Sequence, residues 1–265
     1  MHKIIKRALP VLIVIGMLNH PASAQKDAKA LVEKMVEACG GKETFYSLGD
    51  VQYEYTYQDM ASGKKDVSIE RYVFDGELSW ARFTVRENAM VPDVNGEMIQ
   101  GYDGKESWVT IDGKLADDPQ LNKMTDFLRK TNYYWFTMMF KLLDPGVNYE
   151  YKGTQEVGGT SYDLVGVTFG ENVGDVQDTY VLYINPETHM VDQFLFTVLD
   201  FNITEPLLMK VEYREIEGVK LPANRKYAPA NWDGAIREGK WTTEISDKIV
   251  FGNGFSREMF RKPGK

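Results

Sequence analysis

The longest helical pattern in the chain covers residues 121–143, LNKMTDFLRKTNYYWFTMMFKLL. At 100° per residue, Met124, Phe127, Leu128, Trp135, Met138, Met139 and Leu142 share one side. Tyr133, Phe136, Phe140 and Leu143 form a second apolar stripe, roughly a third of a turn round. Asp118-Pro119 supplies an N-cap acceptor and a proline at the first helical position, and Asp144-Pro145-Gly146 stops the helix. Only a narrow strip carrying Lys123, Lys130, Thr137 and Lys141 is left for water or an acidic partner. A helix apolar on two sides needs two apolar surfaces against it. One can be the protein's own sheet; the other is a further protein layer or a bound molecule.

Elsewhere the period is mostly two. Val51, Tyr53, Tyr55 and Tyr57 alternate with Gln52, Glu54, Thr56 and Gln58, which predicts a strand with one dry and one wet face. Strands at 67–74 and 78–86 flank Asp75-Gly76, and strands at 98–102 and 107–111 flank Asp103-Gly104, both hairpin dipeptides. The two hairpins echo each other as Phe74-Asp-Gly-Glu-Leu-Ser-Trp80 and Tyr102-Asp-Gly-Lys-Glu-Ser-Trp108, which reads as one meander rather than a solenoid. Beyond the helix, strands are expected at 147–154, 162–169, 179–184, 190–198, 208–215, 219–221 and 241–251, with a long irregular loop at 227–239 and a frayed tail from Gly252. The chain is therefore mainly β, with about ten or eleven antiparallel strands. It also carries an amphipathic helix at 25–39, whose Ala28, Leu31, Val32, Met35, Val36 and Cys39 follow helical spacing up to Gly40-Gly41.

The first residues read as an export signal: a basic start (Lys3, Lys6, Arg7), an apolar run at 8–18, and an Ala22-Ser23-Ala24 cleavage site. Residues 1–24 are then the signal peptide and 25–265 a single exported domain, with no span long enough to cross a bilayer. Loss of the signal leaves 28 Lys+Arg against 39 Asp+Glu, a net charge of −11 that disfavours nucleic acid and anionic membrane surfaces. Cys39 is the lone cysteine, so no internal disulfide forms, and its place on an apolar helical face predicts a buried thiol.

Chemistry is excluded more readily than it is assigned. His2 and His20 leave with the signal, and His189 lies in an Asn-Pro-Glu-Thr turn with an exposed position expected for it. One histidine and one cysteine build neither a triad nor a zinc site. No Walker loop or GxGxxG is present, and Asp93-Val-Asn95-Gly-Glu97 has Met98 where a calcium loop requires glycine. Carboxylates such as Glu70 and Glu212 are expected on wet strand faces. No catalytic residue, cofactor or metal is assigned. The positive signal is the supply of tyrosine, phenylalanine, tryptophan and methionine on the strands and the long helix, which suits a core or an adaptable ligand cavity.

The order of elements resembles the LolA-like superfamily of periplasmic lipoprotein carriers and outer-membrane lipoprotein-sorting proteins, and in particular exported proteins of Bacteroidota. The likeness rests on the export signal, the helix ending in Ala38-Cys-Gly-Gly41, the strand at 51–57, the Asp-Gly…Trp hairpins and the mid-chain helix. It is carried further by Tyr180-Val-Leu-Tyr-Ile-Asn-Pro-Glu-Thr-His-Met-Val-Asp-Gln-Phe194, Val211-Glu-Tyr213 and Gly218-Val-Lys-Leu-Pro222. What the resemblance implies is an unclosed antiparallel β-barrel whose mouth is covered by helices, with acyl chains in the cavity and the mid-chain helix as lid. This chain departs from the carriers in its extra strands past Val219 and in offering no residue that aligns with their lid-latching arginine.

The leading expectation is a monomeric periplasmic protein that binds lipid or the acyl chains of a lipoprotein without covalent chemistry, possessing no nucleic-acid role and not integral to the membrane, with a membrane-protein partner at either membrane. Trp135, Phe136, Met138, Met139 and Phe140, drawn from both stripes, are the expected lipid-binding wall. The alternative is a binding module with a filled core that docks an acidic protein partner through Lys123, Lys130 and Lys141. A carboxylate-based hydrolase is the third reading.

Overall fold

The alternation along the chain becomes one long sheet, described by a computed structural model over residues 26–87, 89–91, 94–171 and 177–264. The expected signal peptide lies outside these residues. Helix α1 (Ala28–Ala38) starts at Asp27, whose carboxylate accepts from the amides of Lys29 and Ala30. The turn after Gly40-Gly41 is a short helix, α2 (Lys42–Ser47). Six strands follow: β1 (Asp50–Asp59), β2 (Lys65–Val73), β3 (Leu78–Arg86), β4 (Met98–Tyr102), β5 (Ser107–Ile111) and β6 (Lys114–Leu115). Helix α3 (Pro119–Lys141) comes next, with Asp118 accepting from Leu121 N at 2.8 Å and Pro119 in its first turn. The remaining strands are β7 (Val147–Val157), β8 (Thr160–Phe169), β9 (Tyr180–Ile184), β10 (Val191–Val198), β11 (Ile203–Ile216), β12 (Val219–Pro229) and β13 (Thr242–Phe251).

The strand order is β6-β5-β4-β3-β2-β1-β13-β12-β11-β10-β9-β8-β7, antiparallel at every step. The edges β6 and β7 do not pair, so the fold is an unclosed barrel with α3 connecting one edge to the other across the inner face. The described residues form thirteen strands where about ten or eleven were expected, and each of the twelve ranges read from the sequence has a counterpart. One addition is the two-residue β6. The largest change is β12, which continues well beyond Leu221 to Pro229. Pro222 is tolerated because it falls in the register shift opposite Glu212 and Arg214, and pairing with β13 begins only at Asn224.

Most of both stripes of α3 is buried against the protein itself, with Met124, Phe127 and Leu143 left half-buried. On one side Phe136 stacks on Tyr53 at 4.7 Å between ring centres and Phe140 stacks on Phe45 of α2 at 4.1 Å. On the other, Trp135 lies parallel to Phe194 at 5.6 Å, and Met138, Met139 and Leu142 join the same core with α1. The first half of α3 builds a smaller core, Leu121 and Leu128 against Met98 and Val109 of β4 and β5.

The outer face carries two further apolar clusters. The echo of the two Asp-Gly hairpins becomes physical in one of them, where Trp80 and Trp108 flank Gly101 across β3, β4 and β5. A Cβ on Gly101 would lie 2.3 Å from the Trp108 ring, so only glycine lets the indole lie flat on the strand. The tail expected to fray covers this cluster. Asp50 accepts from the amides of Asn253, Gly254 and Phe255 at 2.7–3.0 Å, and Trp108 Nε1 donates to Phe260 O at 2.8 Å. Phe260 is wholly buried, which holds the tail in place through that residue.

Candidate functional site

Strand β2 is amphipathic with the opposite sense from β1. Its inward positions are Asp66, Ser68, Glu70 and Tyr72, while Val67, Ile69 and Val73 face outward and stay half exposed. Glu70 therefore lies under α3, not on a wet face; Glu212 is exposed as expected. The inward turn of Glu70 is explained by its partner. Arg129 of α3 reaches it with Nη1 at 2.5 Å and Nη2 at 3.1 Å, and both side chains are fully excluded from water. Ser68 and Tyr72 donate to the same carboxylate, and Gln100 Oε1 accepts from Arg129 Nε at 3.1 Å. Burial works against the Arg129 charge, but the adjacent Glu70 outweighs it and holds the guanidinium above its ordinary range.

A second buried ion pair ties down the middle of α3. Arg225 of β12 lies 2.8 Å from Glu244 of β13 and donates through Nη1 to the backbone oxygen of Trp135 at 2.8 Å. Its guanidinium is also 6.0 Å from the Trp135 ring centre. Burial again opposes the charge, and Glu244 prevails to raise the Arg225 pKa. Neither pair was visible in the sequence. The one available signal was an arginine inside an otherwise apolar helical sector, since Arg129 follows Leu128 and lies one turn before Tyr133.

Beside these two anchors α3 and the sheet leave a cavity of about 1090 Å³. Tyr55, Tyr57, Phe196, Leu207, Tyr227 and Glu244 supply its sheet side; Met124, Phe127, Thr131, Tyr134 and Trp135 supply its helix side. Phe127 closes edge-on against Phe201, 4.7 Å away in the turn between β10 and β11. Leu199, Phe201 and Ile203 of that region are exposed, giving the cavity an apolar lip. At its other side Asp66 accepts from the amides of Glu87, Ala89, Met90 and Val91, which folds Met90 and Val91 into the wall. Asp178 also lines the cavity, and burial raises its carboxyl above the usual range despite hydrogen bonds from Leu199 N and Thr197 Oγ1.

Of the five residues expected to contact lipid, Trp135 lines this cavity. Phe136, Met138, Met139 and Phe140 lie in the main core, between α3 and the sheet or α2. The lysine strip expected to face a partner is largely engaged within the chain. Lys141 pairs with Glu77 and Asp144, Lys130 with Asp126, and Thr137 is buried with its hydroxyl on Tyr133 O. A helical wheel places these positions on one strip, but α2 and the β2–β3 turn rise around the end of α3 and enclose part of it.

No group of three or more His, Cys, Asp or Glu among the described residues is placed to hold a metal ion. The calcium-like stretch at 93–97 falls partly outside the described residues. His189 is half-buried, at φ 59° in the β9–β10 turn. Cys39 is fully buried, and burial pushes its thiol up to about 12. Among the described residues no helix is long and apolar enough to cross a membrane.

The fold is shared with solved structures at low identity. A LolA-superfamily protein from Nitrosomonas europaea is similar with a TM-score of 0.55 at 10% identity, over 89% of this chain and 98% of that one. A DUF1329-family protein from Desulfovibrio piger is similar with a TM-score of 0.52 at 14% identity, over 88% of this chain and 97% of that one. No curated protein matches the chain. A family model does, over residues 7–205, and the chain belongs to that family, described as a family of unknown function (DUF6503).

Proposed function

We propose that this is an exported, periplasmic protein that sequesters lipid, or the acyl chains of a lipoprotein, in the cavity under α3 by non-covalent burial. The observation that carries it is the cavity itself: about 1090 Å³, lined by aromatic, leucine and methionine side chains together with charged groups such as Lys123, Asp178 and Glu244, and opening at an apolar lip. That volume lies just above the roughly 300–1,000 Å³ common for small-molecule sites. Each acyl CH₂ moved from water into it contributes about 0.8 kcal/mol. Trp135 is the wall residue on the helix, with Phe136, Met138, Met139 and Phe140 as the backing that holds it. Residues 25–265 act as one monomeric domain after cleavage behind Ala24, within the lipoprotein-sorting type of fold.

The test is native mass spectrometry of the mature protein purified from its own host without detergent. A mass increment that disappears on delipidation, and returns on adding lipid, is expected. A clean apo mass with no uptake of any added lipid overturns the proposal.

A further inference from the structure

Among the charged groups in the wall of the cavity, Glu244 combines deep burial with a carboxylate oxygen that the fold leaves underused. Glu244 is 4% exposed and lines the cavity. Its cross-strand neighbours are Tyr57 on β1 and Arg225 on β12, so the three side chains form one row across the inner face. A carboxylate has room for about four hydrogen bonds. Its Oε2 lies 2.8 Å from Arg225 Nη2, approached without hydrogen-bond alignment, and is buried without a hydrogen-bond partner. Arg225 Nε, next to it, is likewise unpartnered. Buried polar atoms in native proteins nearly always find a partner, from the chain, from water or from a ligand.

Two features fix the chemistry of that partner. It must donate, because the open valence belongs to a carboxylate. It must also be neutral, because Arg225 already balances the Glu244 charge and no further cation is called for. An anionic headgroup in the same position would face Glu244 at close range in a poorly screened site. The rest of the surroundings suit a chain: Trp135, Phe196 and Leu207 lie on the apolar part of the wall, and Tyr57 and Tyr227, whose hydroxyls are 2.6 Å apart, belong to the same wall as Glu244.

We infer that Glu244 is the headgroup acceptor of the cavity, taking a hydrogen bond from the hydroxyl of a neutral, alcohol-headed amphiphile. The inference rests on the lipid-sequestering function proposed above and narrows it to a headgroup class. A fatty-acid anion and a donor-free ester of the same chain length are discriminated against.

Three probes of equal chain length separate the possibilities: 1-monolauroylglycerol, laurate and methyl laurate, titrated into the mature protein at neutral pH. Monolauroylglycerol is expected to bind roughly tenfold more tightly than either of the others, the scale of one hydrogen bond to a charged group. Glu244→Gln should compress that preference to less than about threefold. If this variant fails to fold because Arg225 is left unpaired, the double variant Glu244→Gln with Arg225→Gln removes both charges and carries the same expectation. Equal binding of all three probes by the wild-type protein overturns the headgroup assignment, leaving the two atoms served by water only and the sequestration proposal standing. Binding of none of them, or of any other added lipid, overturns both.

Discussion

Arg129 and Glu70 meet under the first half of α3 with neither side chain exposed to solvent, joined by two hydrogen bonds of 2.5 and 3.1 Å. The pair couples the helix to a strand of the opposite half-sheet from Arg225 and Glu244, so α3 is pinned at two points beside the cavity. Breaking a buried pair from one side leaves an uncompensated charge, at a cost of about 3–5 kcal/mol. Arg129→Met is therefore expected to lower unfolding stability in urea by that amount. Pairing it with Glu70→Leu should recover much of the loss, and a double variant no more stable than the single one would mean the network does more than neutralise charge.

Met139 and Trp135 are one helical turn apart but play different parts. Met139 is wholly packed in the main core, so Met139→Ala should cost about 2–5 kcal/mol with lipid uptake unchanged in the folded fraction. Phe127 at the cavity mouth makes its ring contact with Phe201. Phe127→Ala is expected to lower stability by at least the roughly 0.5–1.5 kcal/mol that such an aromatic contact contributes beyond area, while speeding exchange of a bound fluorescent lipid. Stopped-flow displacement reads this directly.

Asp178 sets a pH dependence whose sign follows from its raised pKa. The native state holds its proton to higher pH than the unfolded chain does, because burial disfavours the carboxylate. Its contribution to stability is thus complete below the unfolded carboxyl value and is lost as pH rises through the folded one. Asp178→Asn, which keeps the side-chain acceptor for Thr197 and Leu199, should raise Tm at pH 7 relative to the parent and leave little difference near pH 3. A variant less stable than the parent at pH 7 would count against this account.

The thiol of Cys39 should be silent in the folded protein. It is fully buried and its pKa is pushed up to about 12, so thiolate is scarce at neutral pH. Reaction with a disulfide reagent is expected only on unfolding, and the labelling rate then reports global opening.

Most of the architecture could be read from the chain because alternation and turn dipeptides are local. Asp75-Gly76 and Asp103-Gly104 mark their hairpins, and Asp118-Pro119 marks the start of α3. The side on which a strand buries itself is not local. In β1 the apolar face turns inward, whereas in β2 the polar face does, because Arg129, 59 positions further on, requires Glu70 there. The same limitation hid Arg225 and Glu244, a pair in which Arg225 also donates to a backbone oxygen 90 residues away. It also made the tail look loose, since the amides held by Asp50 lie more than 200 residues along the chain from it. The wheel located two apolar stripes on α3 correctly, but not where the helix and the sheet leave the cavity. Hence Trp135 reaches the cavity and Met138 does not.

The order of strands has a consequence for how the molecule assembles. Each neighbouring pair in the sheet is also consecutive in the chain, except β1 with β13. Two meanders, β1 to β6 and β7 to β13, can therefore zip up separately from short-range hairpins, where loop closure is fast. What remains is a single long-range seam, Val51 to Asp59 against Thr242 to Phe251, closing the two halves beneath α3. Folding should thus be limited by one docking event, and substitutions along that seam should slow refolding more than equally destabilising ones in any hairpin.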